Sequence, residues 1–155
     1  VYEKEYVPEA LRLLKTHKGK FMLPVDVVVV RSLRKDAKRQ VVSIDHIRPL
    51  DRIVDIGSTS IKQFQEMLAS TKTIVWNGPL GYCEIEPFCA GTREIARAVA
   101  ARTGKATTVV GGGDTMPMIE RLGLADKFTL LSTGGGAMLQ LLSGQSLPGV
   151  EALTL

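Results

Sequence analysis

The stretch that most narrows what this chain can fold into is residues 107–115, TTVVGGGDT. Four β-favouring residues run into three glycines and end on Asp114 and Thr115. That order predicts a strand, a turn bare of side chains, and a helix with Asp114 at its N-cap. Residues 128–137, FTLLSTGGGA, repeat the plan: a short apolar strand, Ser132 and Thr133, then Gly134, Gly135 and Gly136. Glycines at a helix mouth let backbone N–H groups close on an anion, and the helix dipole adds positive partial charge there. On neighbouring parallel strands, both mouths face one crevice at the carboxyl ends.

The rest of the chain fits around these two units. From residue 73 the order reads strand 73–76, a Gly/Pro loop over 77–87, helix 91–102, strand 106–110, helix 114–122, strand 128–131 and helix 135–142. Strands alternating with helices in this way imply a parallel sheet with right-handed crossovers, so the predicted class is α/β, Rossmann-like and three-layered. Upstream, residues 5–18 read as a helix with Pro8 in its first turn and Gly19 as its stop. Residues 21–23 and 27–30 read as a strand or strand pair around Pro24, residues 41–47 as a strand or extended arm, and 52–56 as a strand. A helix capped by Ser58 or Thr59 runs to about residue 69, with Ile61, Phe64, Met67 and Leu68 on one face. The tail, 146–155, is expected to lie extended on the surface.

At 155 residues the chain suits one domain. No apolar run approaches the roughly 20 residues of a membrane span, and the charged start VYEKEYVPEA carries no leader-like apolar core. Cys83 and Cys89, the only two cysteines, read as small, partly buried core residues in a reducing cytoplasm rather than as a disulfide framework. The net charge of +4 is concentrated in RSLRKDAKR, residues 31–39. No aromatic side chain interleaves that run to stack on bases, so a solvated loop is expected rather than a nucleic-acid patch.

Several chemistries are excluded by what is missing. There is no GxxxxGK[ST]. The dinucleotide fingerprint fails because Met116 lies three beyond Gly113 and Leu139 three beyond Gly136. His17 and His46 have no metal-ligand spacing to partners, and no serine sits on a GxSxG elbow. Phosphoryl transfer remains, because it asks for anion-holding N–H groups, a Mg²⁺ anchor and positioning rather than covalent machinery. Asp114 is either a Mg²⁺ contact or simply an N-cap. Glu84 is either a ribose acceptor or a solvated loop acid. Asn77 either orients a phosphate or caps its turn.

Taken together, LPVDVVV (23–29), DIG (55–57), WNGPLGYCEIEPFCAGT (76–92), TTVVGGGDT (107–115), GLADK (123–127), STGGGAMLQLL (132–142) and LPGVEAL (147–153) resemble, in order and spacing, the C-terminal nucleotide-binding domain of phosphoglycerate kinases. The resemblance covers nearly all of 1–155. It implies a cytoplasmic, monomeric glycolytic enzyme that passes a phosphoryl group between 1,3-bisphosphoglycerate and MgADP, with no nucleic-acid or membrane partner. It implies that Asn77, Pro79 and Glu84 contact the nucleotide, Glu84 toward the ribose. Gly113 and Thr115 fall at the phosphate-side helix mouth, Asp114 at Mg²⁺ through the nucleotide, and Gly57 at the adenine pocket. Gly134, Gly135 and Gly136 fall on the catalytic loop that meets the transferring phosphate. Ser58 stands where the family usually has Pro, and Tyr82 and Cys83 where it has a small apolar residue and Phe. The family's phosphoglycerate-binding domain and the first part of the nucleotide domain have no counterpart here, so the sheet is expected to be truncated at its N-terminal end and the chain alone inactive. Two other readings compete: a non-catalytic nucleotide- or anion-binding module, and a basic interaction protein acting through residues 31–39.

Overall fold

The computed structural model describes residues 3–153. A 3-10 turn, Lys4–Tyr6, leads into α1, Val7–Thr16, with Pro8 in its first turn. The helix gives way at His17, and Gly19 follows at φ 81°. Leu11 is 51% exposed and α1 buries no residue, so its apolar positions are not part of the core.

The first half of the chain forms a three-stranded antiparallel sheet. It contains β1, Asp26–Val30, β2, Gln40–Ser43, and β3, Arg52–Ile56, in the order β2-β1-β3. The alternatives left open around Pro24 resolve to a single strand: Phe21, Met22 and Leu23 stay exposed outside β1. The extended arm is shorter than expected, because Ser43 Oγ accepts the Asp45 N–H and starts a 3-10 turn at Ile44–His46. Residues 31–39 form an exposed loop. Arg31 pairs with Asp51 (3.2 Å), Arg34 pairs with Asp36 (3.1 Å), and Arg39 donates to the Pro87 carbonyl (2.9 Å).

The second half is the parallel sheet the alternation implied. β4, Thr73–Asn77, β5, Thr107–Gly111, and β6, Leu130–Ser132, lie in that order with Trp76 opposite Val110 and Val110 opposite Leu131. Helices α2 (Ser58–Ser70), α3 (Ala90–Ala100) and α4 (Met116–Arg121) connect the strands. Their apolar positions join Ile74, Trp76 and Val110 in the main core, with Leu68, Ile95, Val99, Met118 and Ile119. The pleat turns Gly111 to the opposite face, where Met138 of α5, Gly135–Leu142, packs over it. Gly144, at φ 77°, follows α5. The tail is not extended: Pro148 opens a short helix, α6, Pro148–Glu151, because its fixed φ suits a first helical position.

Phe88, fully buried, ties the two sheets together. It sits in the loop after β4 yet packs with Val30 and Val54 of the antiparallel sheet. The Tyr82 N–H donates to the Val54 carbonyl (2.8 Å), a second tie at the same joint.

Candidate functional site

The carboxyl ends of β4, β5 and β6 share one rim, so the two glycine triplets and Asn77 are brought together. An added Cβ on Gly135 would lie 2.7 Å from Asn77 Oδ1 and 2.8 Å from the Gly112 N. At Gly112 it would lie 3.4 Å from both Asn77 Oδ1 and Thr115 Oγ1. Gly112 also has φ 102°, where only glycine is relaxed. Glycine is therefore needed at Gly112 and Gly135 to let two strand-to-helix turns close around Asn77. Gly113, Gly134 and Gly136 line the exposed side of the same turns, and Ser132 Oγ accepts the Gly134 N–H (3.2 Å).

The helix after β5 begins later than the sequence suggests. Asp114 was expected to cap it, but the capping position is Thr115 and no side chain caps the helix. The reason is the tight turn at Gly112: the Thr115 and Met116 N–H groups both return to the Gly112 carbonyl (3.1 and 3.4 Å). Asp114 stays exposed outside the helix, while Thr115 is fully buried and its Oγ1 has no hydrogen-bond partner. A buried hydroxyl without a partner is uncommon in a folded protein and marks this turn out from the rest of the scaffold. At α5 the capping position is Gly134, again with no side-chain cap.

Beside the rim runs a groove of about 280 Å³ that unites Pro79, Glu84, Gly113 and Asp114 with Cys83, Pro117 and Arg121. Arg121 was not singled out in the sequence. Its signal was its place in the last turn of α4, and it lines the same groove as the Glu84 and Asp114 carboxylates. Gly57 is not in this groove. It is buried at the start of α2, where an added Cβ would collide with the Asp26 carboxylate, so its glycine has a packing reason of its own.

Two buried carboxylates hold the scaffold behind the rim. Asp26, on β1, accepts from Thr59 N (3.0 Å), Ser60 N (2.8 Å) and Ser60 Oγ (2.6 Å), and so caps α2, the task the sequence assigned to Ser58 or Thr59. Burial pushes this carboxyl up, but the hydrogen bonds from Ser60 and Thr59 outweigh it and hold it below the ordinary value. Asp55, on β3, accepts from Gly91 N at the start of α3 (2.7 Å) and from its neighbour Ile56 N (2.9 Å). Here burial prevails over those bonds and the carboxyl is raised.

The loop from β4 to α3 is fastened to Thr92, whose buried Oγ1 accepts from both Leu80 N and Gly81 N (3.0 Å each). Cys89 is buried as expected, but the cysteines are not free: Cys83 and Cys89 are disulfide-bonded, with Cα atoms 4.5 Å apart. Successive tight turns make this possible, since Ile85 N returns to Tyr82 O, Phe88 N to Ile85 O and Cys89 N to Glu86 O. The six-residue spacing that looked unsuited to a bridge is folded back on itself.

The parallel sheet, its crossover helices and the glycine-lined rim place the chain among the Rossmann-like α/β proteins. Comparison with known proteins narrows that class. The family described as phosphoglycerate kinase matches residues 1–145. A phosphoglycerate kinase of Roseiflexus sp. (strain RS-1) is 46% identical over 154 residues, covering 97% of this chain and 38% of that protein. One from Synechococcus sp. (strain JA-2-3B'a(2-13)) is 53% identical over 135 residues, covering 86% of this chain and 32% of that protein. The solved phosphoglycerate kinase of Coxiella burnetii superposes with a TM-score of 0.89 at 39% identity, over 98% of this chain and 39% of its own. The chain belongs to the phosphoglycerate kinase family, and it spans about 38% of the length of curated relatives it matches.

Proposed function

We propose that this chain is the nucleotide-binding part of a cytoplasmic glycolytic phosphotransferase, which moves a phosphoryl group between 1,3-bisphosphoglycerate and MgADP to give 3-phosphoglycerate and MgATP. The observation that carries the reading is the rim itself: two glycine-lined helix mouths without side-chain caps, meeting around Asn77 and the unpartnered Thr115 hydroxyl. The first N–H groups of a helix lack intrahelical partners, so the α5 mouth at Gly135 and Gly136 offers donors to an anion, whereas at α4 the Thr115 and Met116 amides already return to the Gly112 carbonyl. In this reading Gly134, Gly135 and Gly136 meet the transferring phosphate, Gly113 and Thr115 meet the phosphates of the nucleotide, Asn77 orients them, and Pro79 and Glu84 line the ribose end of the groove. The family pattern assigns Gly57 to the adenine end.

A Mg²⁺ ion fits the same groove. Asp114 is an exposed carboxylate there beside Glu84, and among the described residues no three His, Cys, Asp or Glu side chains gather as an all-protein metal cage. Mg²⁺ commonly takes one or two carboxylates plus phosphate oxygens, so Asp114 would hold it through the nucleotide. When bound, the ion neutralises charge developing on the phosphates. The chain's own contribution is to orient the nucleotide and present N–H groups without reorganisation.

Titration with MgADP, followed through backbone amide resonances, tests this. Gly113, Thr115, Gly135 and Gly136 are expected to move. If they stay still while residues 31–39 shift, the chain takes anions by bulk charge and the reading is wrong. The chain alone is expected not to make ATP from the acyl phosphate, because in-line transfer needs both substrates positioned.

A further inference from the structure

The disulfide sits where the nucleotide reading places its ribose contact. Cys83 is half-buried and adjoins Glu84, and both line the groove with Gly113 and Asp114. On its other side Cys83 lines a second groove with Cys89, Glu86, Arg93 and Arg121. Cys89 is held in the core at the capping position of α3, next to the fully buried Phe88. Cys83, half-buried, therefore borders both grooves, while the buried Cys89 borders the second and is held at the start of α3.

We propose that Cys83 and Cys89 form a thiol–disulfide switch that fixes or releases Glu84 at the groove, exchanging with a small-molecule thiol–disulfide couple; the effect on ligand rests on the nucleotide reading above. The steps balance. In oxidation the Cys83 thiolate attacks one sulfur of a disulfide RSSR, forming a mixed disulfide and expelling RS⁻. The Cys89 thiolate then attacks Cys83 Sγ and expels the second RS⁻. The two protons released by the cysteines leave as 2 RSH, and two electrons pass to the couple. A dithiol reverses both steps by entering at the accessible Cys83 sulfur. Arg121 in the second groove favours the thiolate that each direction needs, while Arg93 there is paired with Glu86 (2.7 Å).

Closed, the bridge ties the Glu84 segment to the start of α3. Open, that segment keeps its fastening at Phe88 and, through Leu80 and Gly81, at Thr92, but Cys83 loses its covalent tether. Ordering one long side chain on binding then falls to the ligand, so the oxidised protein is expected to bind MgADP about 3- to 10-fold more tightly than the reduced one.

The test uses the protein in the full length its gene encodes, equilibrated with glutathione disulfide or with dithiothreitol. Thiol titration and intact mass report the bridge, and calorimetry reports MgADP affinity. The expected result is a bridge between Cys83 and Cys89 in the first sample only, tighter MgADP binding there, and a C83S variant that binds at the reduced level under both conditions. C83A repeats the test without a new hydroxyl. Free thiols in the oxidised sample, or a redox response that survives in C83S and C83A, overturn the switch. A bridge that forms with no change in affinity overturns the switch alone. No MgADP binding in either state overturns the nucleotide reading and the switch with it.

Discussion

Four helices in this chain follow strands, and their starts divide into two kinds. At α2 and α3 the protein supplies its own acceptor: Asp26 reaches from β1 to Thr59 and Ser60, and Asp55 reaches from β3 to Gly91. At α4 and α5 no side chain does this, and glycines surround the opening. The backbone problem is the same in each case, because every helix start leaves donors unpaired. Filled starts are locked from the neighbouring strand; the α5 start is left to glycine backbone alone, and at α4 the Thr115 and Met116 amides return to the Gly112 carbonyl instead.

The contrast can be broken most severely at the joint between the halves. Phe88→Ala removes a fully buried ring shared by the loop after β4 and the antiparallel sheet, and about 4 kcal/mol of stability is expected to go with it by denaturant unfolding. Next comes a filled start. Asp26→Ala leaves the Ser60 hydroxyl and two helix donors without their acceptor, which is expected to cost about 3 kcal/mol. A loss under 1 kcal/mol would mean water replaces the carboxylate and α2 is not held from β1. An open start should behave differently: Gly135→Ala pushes a methyl against Asn77 and the Gly112 amide. A fall in MgADP affinity of about tenfold is expected, with a stability loss of about 1–2 kcal/mol. Unchanged affinity would remove Gly135 from the site.

The smallest effect lies in pH dependence, where the two filled starts should oppose each other. Asp26 is depressed from its ordinary 3.8, so its stabilisation is complete above that value and fades as pH falls through the folded pKa. Asp55 is raised from the same 3.8, so the folded protein holds the extra proton between the two values and stability declines as pH rises through that window. Acid unfolding of Asp26→Asn and Asp55→Asn should therefore change slope in opposite senses. Equal signs would mean that one of the two carboxyls shifts the other way.

What the sequence revealed follows how local each cause is. Strand 52–56 and helix 135–142 were legible to the residue, because charge and hydrophobic pattern or a glycine start and a Gly144 stop lie within the segments themselves. The glycines of the rim were legible for the same reason. Asp26 was not. DVVVV shows only one charge at the head of an apolar strand, whereas a carboxylate in a buried strand demands donors, here 33 and 34 residues away. Cys83 and Cys89 were misjudged because spacing does not reveal turns that fold six residues back. Asp114 was displaced from the cap by the Gly112 turn, which sequence alone shows only as one glycine among three. The antiparallel pairing of the first half left too little periodicity in its short strands to settle its direction.

One consequence concerns the strand that bounds the parallel sheet. Among the described residues β4 pairs only with β5, and its five-residue run TIVWN, with the half-exposed Val75 on the face opposite Ile74 and Trp76, is free of charge and proline. Unpaired ladder groups of that kind template further strands, and proteins ordinarily blunt them with lysine, proline or a covering element. For residues 1–155 taken by themselves, two copies at high concentration are therefore expected to meet edge to edge along Thr73–Asn77. A lysine in place of Val75 should keep solutions clear without disturbing the inward-facing Ile74 and Trp76.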